Sequence, residues 1–295
     1  MTTFTKEPSR DNGEGTGQSL PEEAESFVWK KFADGVCLRM RLFVPEGHSA
    51  HAFAPAVMFF YGGMWSAEYV DEFVPWAVHL SHRGIVCLLP EYRTRNRYDV
   101  SAEDIVQDGM DAWQWMNDNA AALGIDPASM TLAGADAGAL LALVPAMQPP
   151  IRKRKWWQWW LHDELPPMPA AVAIFRGMID LLAPEARLLN AVQECVDVHR
   201  INPCSLLRRG LPPLFCAHGM LDPLLDYEMR EWFCAEWEKA GNVARPVMCP
   251  TADHTITHFE VNPAVFEHVL IAWQSFMVEQ GIWPESALES AALMQ

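Results

Sequence analysis

The chain has no two cysteines in C-x-x-C spacing and no run of 18 apolar residues. Its seven cysteines, Cys37, Cys87, Cys195, Cys204, Cys216, Cys234 and Cys249, are odd in number and set among apolar neighbours. That is the pattern of reduced core thiols, not of a disulfide framework or a zinc site, and no metal is expected. Without a long apolar run no helix of the sequence can span a bilayer. The opening MTTFTKEPSRDNGEGTGQSLPEEAES lacks the apolar core of a signal peptide, so the expected location is cytoplasmic. Basic residues are scarce, 22 Lys and Arg against 38 Asp and Glu, for a formal net charge of −16. Such a field disfavours nucleic acid and anionic membranes as partners. Tyrosine is scarce too, only five residues, so chemistry that needs a phenolic acid has few groups to draw on. No cofactor is expected, and the sequence leaves an oligomer open.

What is present is an apolar half of the chain and 295 residues, enough to bury a full core in one large α/β domain. Residues 1–24 are rich in Gly, Ser, Pro, Glu and Thr and are expected to be a disordered tail. Residues 25–295 are expected to form a single domain. Two alternating segments around Ala33-Asp34-Gly35 predict a hairpin. Continuous apolar runs at 54–60, 84–92, 129–134, 170–175, 212–219 and 244–250 predict strands buried on both faces. Between them lie helical patterns at 101–124, 137–147, 226–240 and 263–279. The first opens with Ser101 and Asp104 in capping-box spacing. An N-terminal hairpin followed by alternating strands and helices predicts an α/β fold with a mostly parallel central sheet and helices on both faces.

One segment departs from that rhythm. PPIRKRKWWQWWLHDELPPMP, residues 149–169, crowds four tryptophans and five prolines between a helix and the next strand. It reads either as a connection packed on the domain or as a lid-like apolar roof over a pocket. Trp65, Trp76 and the methionines add to the expectation of an apolar pocket and a lipophilic small-molecule substrate.

Four motifs carry chemistry. FFYGGMW (59–65) follows a buried strand. GADAG (134–138) is a strand-to-helix turn with the Gly-x-x-x-Gly spacing of a nucleophile elbow, but with Asp136 where serine hydrolases have serine. HGMLDPLLD (218–226) offers Asp222, and TADHTITHF (251–259) offers His254. Together with EYR (91–93), LGIDPASM ahead of the elbow and GLPPLFCAHGMLD (210–222), these motifs resemble α/β-hydrolases of the hormone-sensitive lipase and feruloyl/acetyl-esterase type. The resemblance covers residues 28 to 280. It implies that Asp222 and His254 are the acid and base of a triad, and that Gly62, Gly63 and the backbone of Ala137 line an oxyanion hole, with Trp65 beside them. Two departures stand out: Tyr61 replaces the family's histidine before the two glycines, and Asp136 replaces its serine.

A serine must lose a proton before it attacks, whereas a carboxylate is ordinarily ionised at neutral pH. Attack on an acyl carbon by a carboxylate gives an anhydride, a poor intermediate. Attack on a saturated, electrophilic carbon gives a stable alkyl ester, which a histidine-activated water can hydrolyse. The expected activity is therefore epoxide hydrolysis through an Asp136–His254–Asp222 triad, with Tyr61 as the candidate acid for the leaving oxygen. Ordinary serine-esterase turnover is not expected. The substrate expected is an extended polyene, polyketide or terpenoid epoxide in secondary metabolism. Two other readings stay open: Asp136 as general base of a lyase, isomerase or cyclase, and Asp136 as a helix cap in an inactive ligand-binding relic.

Overall fold

In β2 (Cys37–Phe43) Leu38, Met40 and Leu42 are buried in alternation with less buried neighbours, and β2 pairs antiparallel with β1 (Ala24–Lys31), which buries Trp29, so one face of the hairpin lies on the core. The strands that follow are buried almost throughout, as the uninterrupted apolar runs require: β3 (Ala54–Phe60), β4 (Val86–Pro90), β5 (Ile125–Ala135), β6 (Ala171–Phe175) and β7 (Leu214–Gly219). β8 (Ala244–Cys249) closes the edge and is only partly buried. The computed structural model describes residues 24–66, 69–148, 166–189, 195 and 197–288. The tail 1–23 and residues 149–165 of the tryptophan-rich segment lie outside the described residues.

The eight strands form one sheet in the order β1-β2-β4-β3-β5-β6-β7-β8. β1, β2 and β4 pair antiparallel, and every pairing from β4 through β3 to β8 is parallel. The helices are α1 (Val74–Ser81), α2 (Arg95–Tyr98), α3 (Ala102–Asn119), α4 (Gly138–Met147), α5 (Pro203–Leu206), α6 (Tyr227–Lys239) and α7 (Pro263–Glu279). At the start of α3 the Ser101 side chain accepts from the Asp104 N–H and Asp104 returns the bond, the capping box read from the sequence. Asp226 caps α6 by accepting from the Glu228 N–H. No helix among the described residues is long and apolar enough to cross a membrane.

Some expectations shift. β4 starts at Val86, because Gly84 takes a left-handed turn at φ 84° that ends the preceding connection. β5 starts four residues earlier than its apolar run, since the polar stretch Asp126–Ser129 still extends the backbone. Trp65 and Trp76 do not line an open pocket, being 1% and 0% exposed. Trp76 packs 4.7 Å from Phe175 and 5.9 Å from Trp273, in the aromatic layer under one face of the sheet.

The chain adds β4 on one side of β3 and β5 on the other, so the carboxyl ends of β3 and β5 flank a topological switch point, where open α/β sheets bind ligands. Phe60 and Gly134 are paired there. The loops after β7 and β8 emerge at the same edge of the sheet.

Candidate functional site at the switch point

The elbow is built by close backbone approach. A Cβ on Gly134 would stand 2.3 Å from the Gly138 carbonyl oxygen, and one on Gly138 would stand 2.2 Å from that of Tyr61. Between them Asp136 adopts φ 51°, its N–H donating to Phe175 O and its carbonyl accepting from the Ala139 and Met178 N–H groups. Six non-glycine residues among those described have positive φ, and Met64, Trp65, Asp136 and Arg176 are four of them. Each such residue costs on the order of 1 kcal/mol, so the strain is concentrated where the loops converge.

The Asp136 side chain is 3% exposed. Its Oδ2 accepts from the Gly63 N–H at 2.9 Å and from the Met64 N–H at 3.0 Å. Its Oδ1 is buried and has no hydrogen-bond partner among the described residues. One carboxylate oxygen is thus held by two convergent backbone donors, and the other is free. The Gly62 N–H, expected as an oxyanion donor, donates instead to Glu72 Oε2 at 2.6 Å. The donor pair therefore lies one residue further along, at Gly63 and Met64. The position of Met64 directly after the two glycines was the only sequence signal for it. Ala137, expected as a further backbone donor, is fully buried at the N-terminus of α4.

Glu72 sits in a second polar knot. Its Oε1 accepts from the Arg176 guanidinium and, at 2.8 Å, from the Thr257 hydroxyl, and Arg176 also donates to Thr257. Glu72 and Arg176 side chains are 1% and 4% exposed. Burial pushes the Glu72 carboxyl up, but the Arg176 charge and the bonds from Gly62, Thr257 and Arg176 outweigh it and hold it below the usual carboxylate range. His258 lies 3.8 Å from Glu72 Oε1, and burial and the Arg176 charge lower its pKa. None of these three, Glu72, Arg176 and Thr257, stands out in the sequence, because their burial is created by the fold.

Asp222 and His254, the expected acid and base, lie within hydrogen-bonding distance of each other. His254 Nδ1 is 2.7 Å from Asp222 Oδ2, so it carries the proton and donates it. The other Asp222 oxygen accepts from the Leu224 and Leu225 N–H groups at 2.8 and 3.1 Å. His218, fully buried at the end of β7, puts Nε2 3.1 Å from Asp222 Oδ2 and 2.9 Å from Leu225 O. Burial raises the Asp222 pKa, but the bonds from His218, His254 and Leu224 and the His254 charge reverse that and hold it well below the usual range. His254 makes no direct hydrogen bond to Asp136 among the described residues. The structure thus joins Asp222 to His254 and Asp136 to the oxyanion loop, without a direct link between the two pairs.

Tyr61 is placed differently from its expected role. Its hydroxyl donates to Tyr92 O at 3.3 Å, its ring stacks on Tyr92 at 4.3 Å, and it is 3% exposed. The Tyr92 hydroxyl answers by donating to Tyr61 O at 2.8 Å. The pair braces the base of the oxyanion loop, and an acid role would require the Tyr61 bond to break. Trp65 is likewise core, its carbonyl accepting from the Arg95 N–H at 2.8 Å.

Known proteins bear on this arrangement. Esterase 2 of Thermogutta terrifontis in its apo form superposes with a TM-score of 0.79 at 26% identity, over 90% of this chain and 98% of that one. Its propionate-bound form gives 0.77 at 28% identity, again over 90% and 98%. The chain has the α/β-hydrolase fold. Residues 40–158, less than half of the chain, match the BD-FAE family. Carboxylesterase NlhH of Mycobacterium tuberculosis is 28% identical over 185 residues, 58% of this chain; the match spans 57% of that esterase's own length. These relatives are esterases. In this chain of α/β-hydrolase fold, Asp136 Oδ2 occupies the Gly63 and Met64 N–H groups.

Proposed function

We propose that this α/β-hydrolase uses Asp136 to attack a saturated electrophilic carbon, opening the epoxide of a lipophilic substrate and then hydrolysing the alkyl ester it has formed. One observation carries the reading: Oδ2 is held by Gly63 and Met64 N–H groups while Oδ1 has no partner among the described residues. Oδ1 attacks carbon, the carbon–oxygen bond of the ring breaks, and the departing alkoxide takes a proton from the medium. Oδ2 becomes the carbonyl oxygen of the ester. When water attacks that ester, negative charge builds on Oδ2, already seated between two donors, the placement that stabilises such a charge most. His254 Nε2, oriented by Asp222, takes the proton of that water. The adduct then collapses: the bond between the carboxyl carbon and Oδ1 breaks, and the alkoxide product leaves with Oδ1 and takes that proton from His254. The lack of a direct bond to Asp136 suits a base that works on water. The substrate carbonyl of a simple ester would have to displace Oδ2 from the same donors, which argues against ordinary acyl-ester turnover.

The same free oxygen would also serve a general base, which takes a proton and forms no bond to carbon. Trapping separates the two. In His254→Gln, incubated with a panel of lipophilic epoxides, the nucleophile reading expects the peptide bearing Asp136 to gain the mass of the epoxide, with turnover down about a thousandfold. A silent peptide alongside wild-type turnover of the same epoxide would overturn it in favour of the base.

A further inference from the structure

We propose that Glu72 is the positioning residue of this site, a buried carboxylate that aims the oxyanion loop at Asp136 and ties it to the histidine loop. Three observations converge on it. Oε2 captures the Gly62 N–H, which turns the next two N–H groups, those of Gly63 and Met64, onto Asp136 Oδ2. Oε1 accepts from Thr257, three residues past His254, so one side chain fastens both loops that meet at the elbow. Arg176, held at φ 43° just after β6, neutralises Glu72.

That neutralisation has a chemical consequence. Gly62 lies between the two carboxylates: a Cβ there would stand 2.9 Å from Asp136 Cβ and 3.3 Å from Glu72 Oε2. The buried guanidinium is engaged by Glu72 and Thr257, and no ion pair of Asp136 occurs among the described residues. Asp136 therefore receives only neutral donors, on one oxygen. A cation on Asp136 would stabilise the unreacted carboxylate and weaken it as a nucleophile. Glu72 thus orients the donors and also keeps the positive charge away from the attacking oxygen. The step that depends on the donors is hydrolysis of the ester, where charge grows on Oδ2. Attack by Oδ1 withdraws charge from Oδ2 and gains nothing from them.

The orienting role is read by amide hydrogen exchange on the full chain, independently of any reaction. In Glu72→Ala, exchange at the Gly63 and Met64 N–H groups rises about tenfold or more relative to Leu132 in β5, the effect of one lost hydrogen bond on a loop. Should that variant not fold, Glu72→Asp retains the charge for Arg176 but is too short to reach Gly62, and the same rise is expected. Glu185→Ala, which strips the carboxylate from another buried arginine, Arg230, leaves that ratio unchanged and controls for general loosening. An unchanged Gly63 and Met64 ratio in both Glu72 variants overturns the proposal. The catalytic half rests on the nucleophile reading above, and single-turnover mass spectrometry reads it. In Glu72→Asp, ester hydrolysis slows about tenfold or more while ester formation stays within about threefold. Equal slowing of both steps contradicts it. Absence of any adduct even in His254→Gln would overturn the nucleophile reading alone, leaving the exchange result to decide the role of Glu72.

Discussion

The two halves of the site are built to different plans. The half after β7 and β8 is a hydrogen-bonded carboxylate–histidine pair: Asp222 is bonded by His254, His218 and two backbone N–H groups, and among the described residues His218 Nδ1 is its one buried side-chain atom without a partner. The half after β3 and β5 is self-occupied: the Gly63 and Met64 N–H groups already hold Asp136 Oδ2, and the second carboxyl oxygen is buried without a partner among the described residues. An unbonded buried carboxylate oxygen costs stability, on the order of 1–3 kcal/mol, and proteins keep such groups where chemistry needs them. On the proposed mechanism, an aspartate at the elbow changes more than the attacking atom: it moves the oxyanion from the substrate to the enzyme.

The sharpest way to break the contrast is to empty the self-occupied half. In Asp136→Ser the shorter side chain vacates the Gly63 and Met64 donors while His254 and Asp222 remain. Turnover of acetyl or butyryl esters is expected to rise by about a hundredfold over the wild type, the worth of a working oxyanion hole, and epoxide opening is expected to vanish. Wild-type ester turnover that persists unchanged in Asp136→Ala would refute the account of the donors.

The next effect is on stability and distinguishes the halves by pH. Asp222 and Glu72 are both held below the ordinary carboxylate range when folded. The unfolded chain, with carboxyls near their usual value of about 4, takes up protons first as the pH falls. Their stabilisation is complete above that value and is lost as pH drops from it toward the folded values. Thermal unfolding followed from pH 7 to pH 3 should show a steep acid limb, and Asp222→Asn should flatten it while lowering the melting temperature at pH 7. An acid limb as steep as wild type in that variant would show that Asp222 contributes little to it.

The smallest expected effect concerns Tyr61. Its hydroxyl is spent on Tyr92 O, so Tyr61→Phe should lower stability by about 0.5–1 kcal/mol and change epoxide turnover by less than about threefold. A drop of a hundredfold with unchanged stability would return Tyr61 to the role of leaving-group acid.

How much of this was legible in the sequence follows from what each signal depends on. The strands of the parallel sheet, the capping box at Ser101 and the elbow glycines are local: apolar runs, cap spacing and Gly-x-x-x-Gly state their own geometry. Asp222 and His254 were legible as a pair because each follows closely on a strand of the sheet, Asp222 on the buried β7 and His254 on the partly buried edge strand β8. The donor pair was misplaced by one residue because the turn of the oxyanion loop is decided by Glu72, whose bond to Gly62 crosses ten residues of chain. The burial of Trp65 and Trp76 was missed for a related reason. Large aromatics signal apolar surface, but which side of the sheet they cover depends on packing against Phe175 and Trp273, far away in the sequence.

The claim that the oxyanion belongs to the enzyme is tested most directly by the path of oxygen. In one turnover of a lipophilic epoxide in heavy-oxygen water, with enzyme in excess, Oδ1 leaves with the product and water refills the carboxylate. The account predicts a diol without label and one labelled oxygen in the peptide bearing Asp136, reduced to a trace in His254→Gln. Labelled diol with an unlabelled Asp136 would mean that water reaches carbon directly, and it would contradict the account.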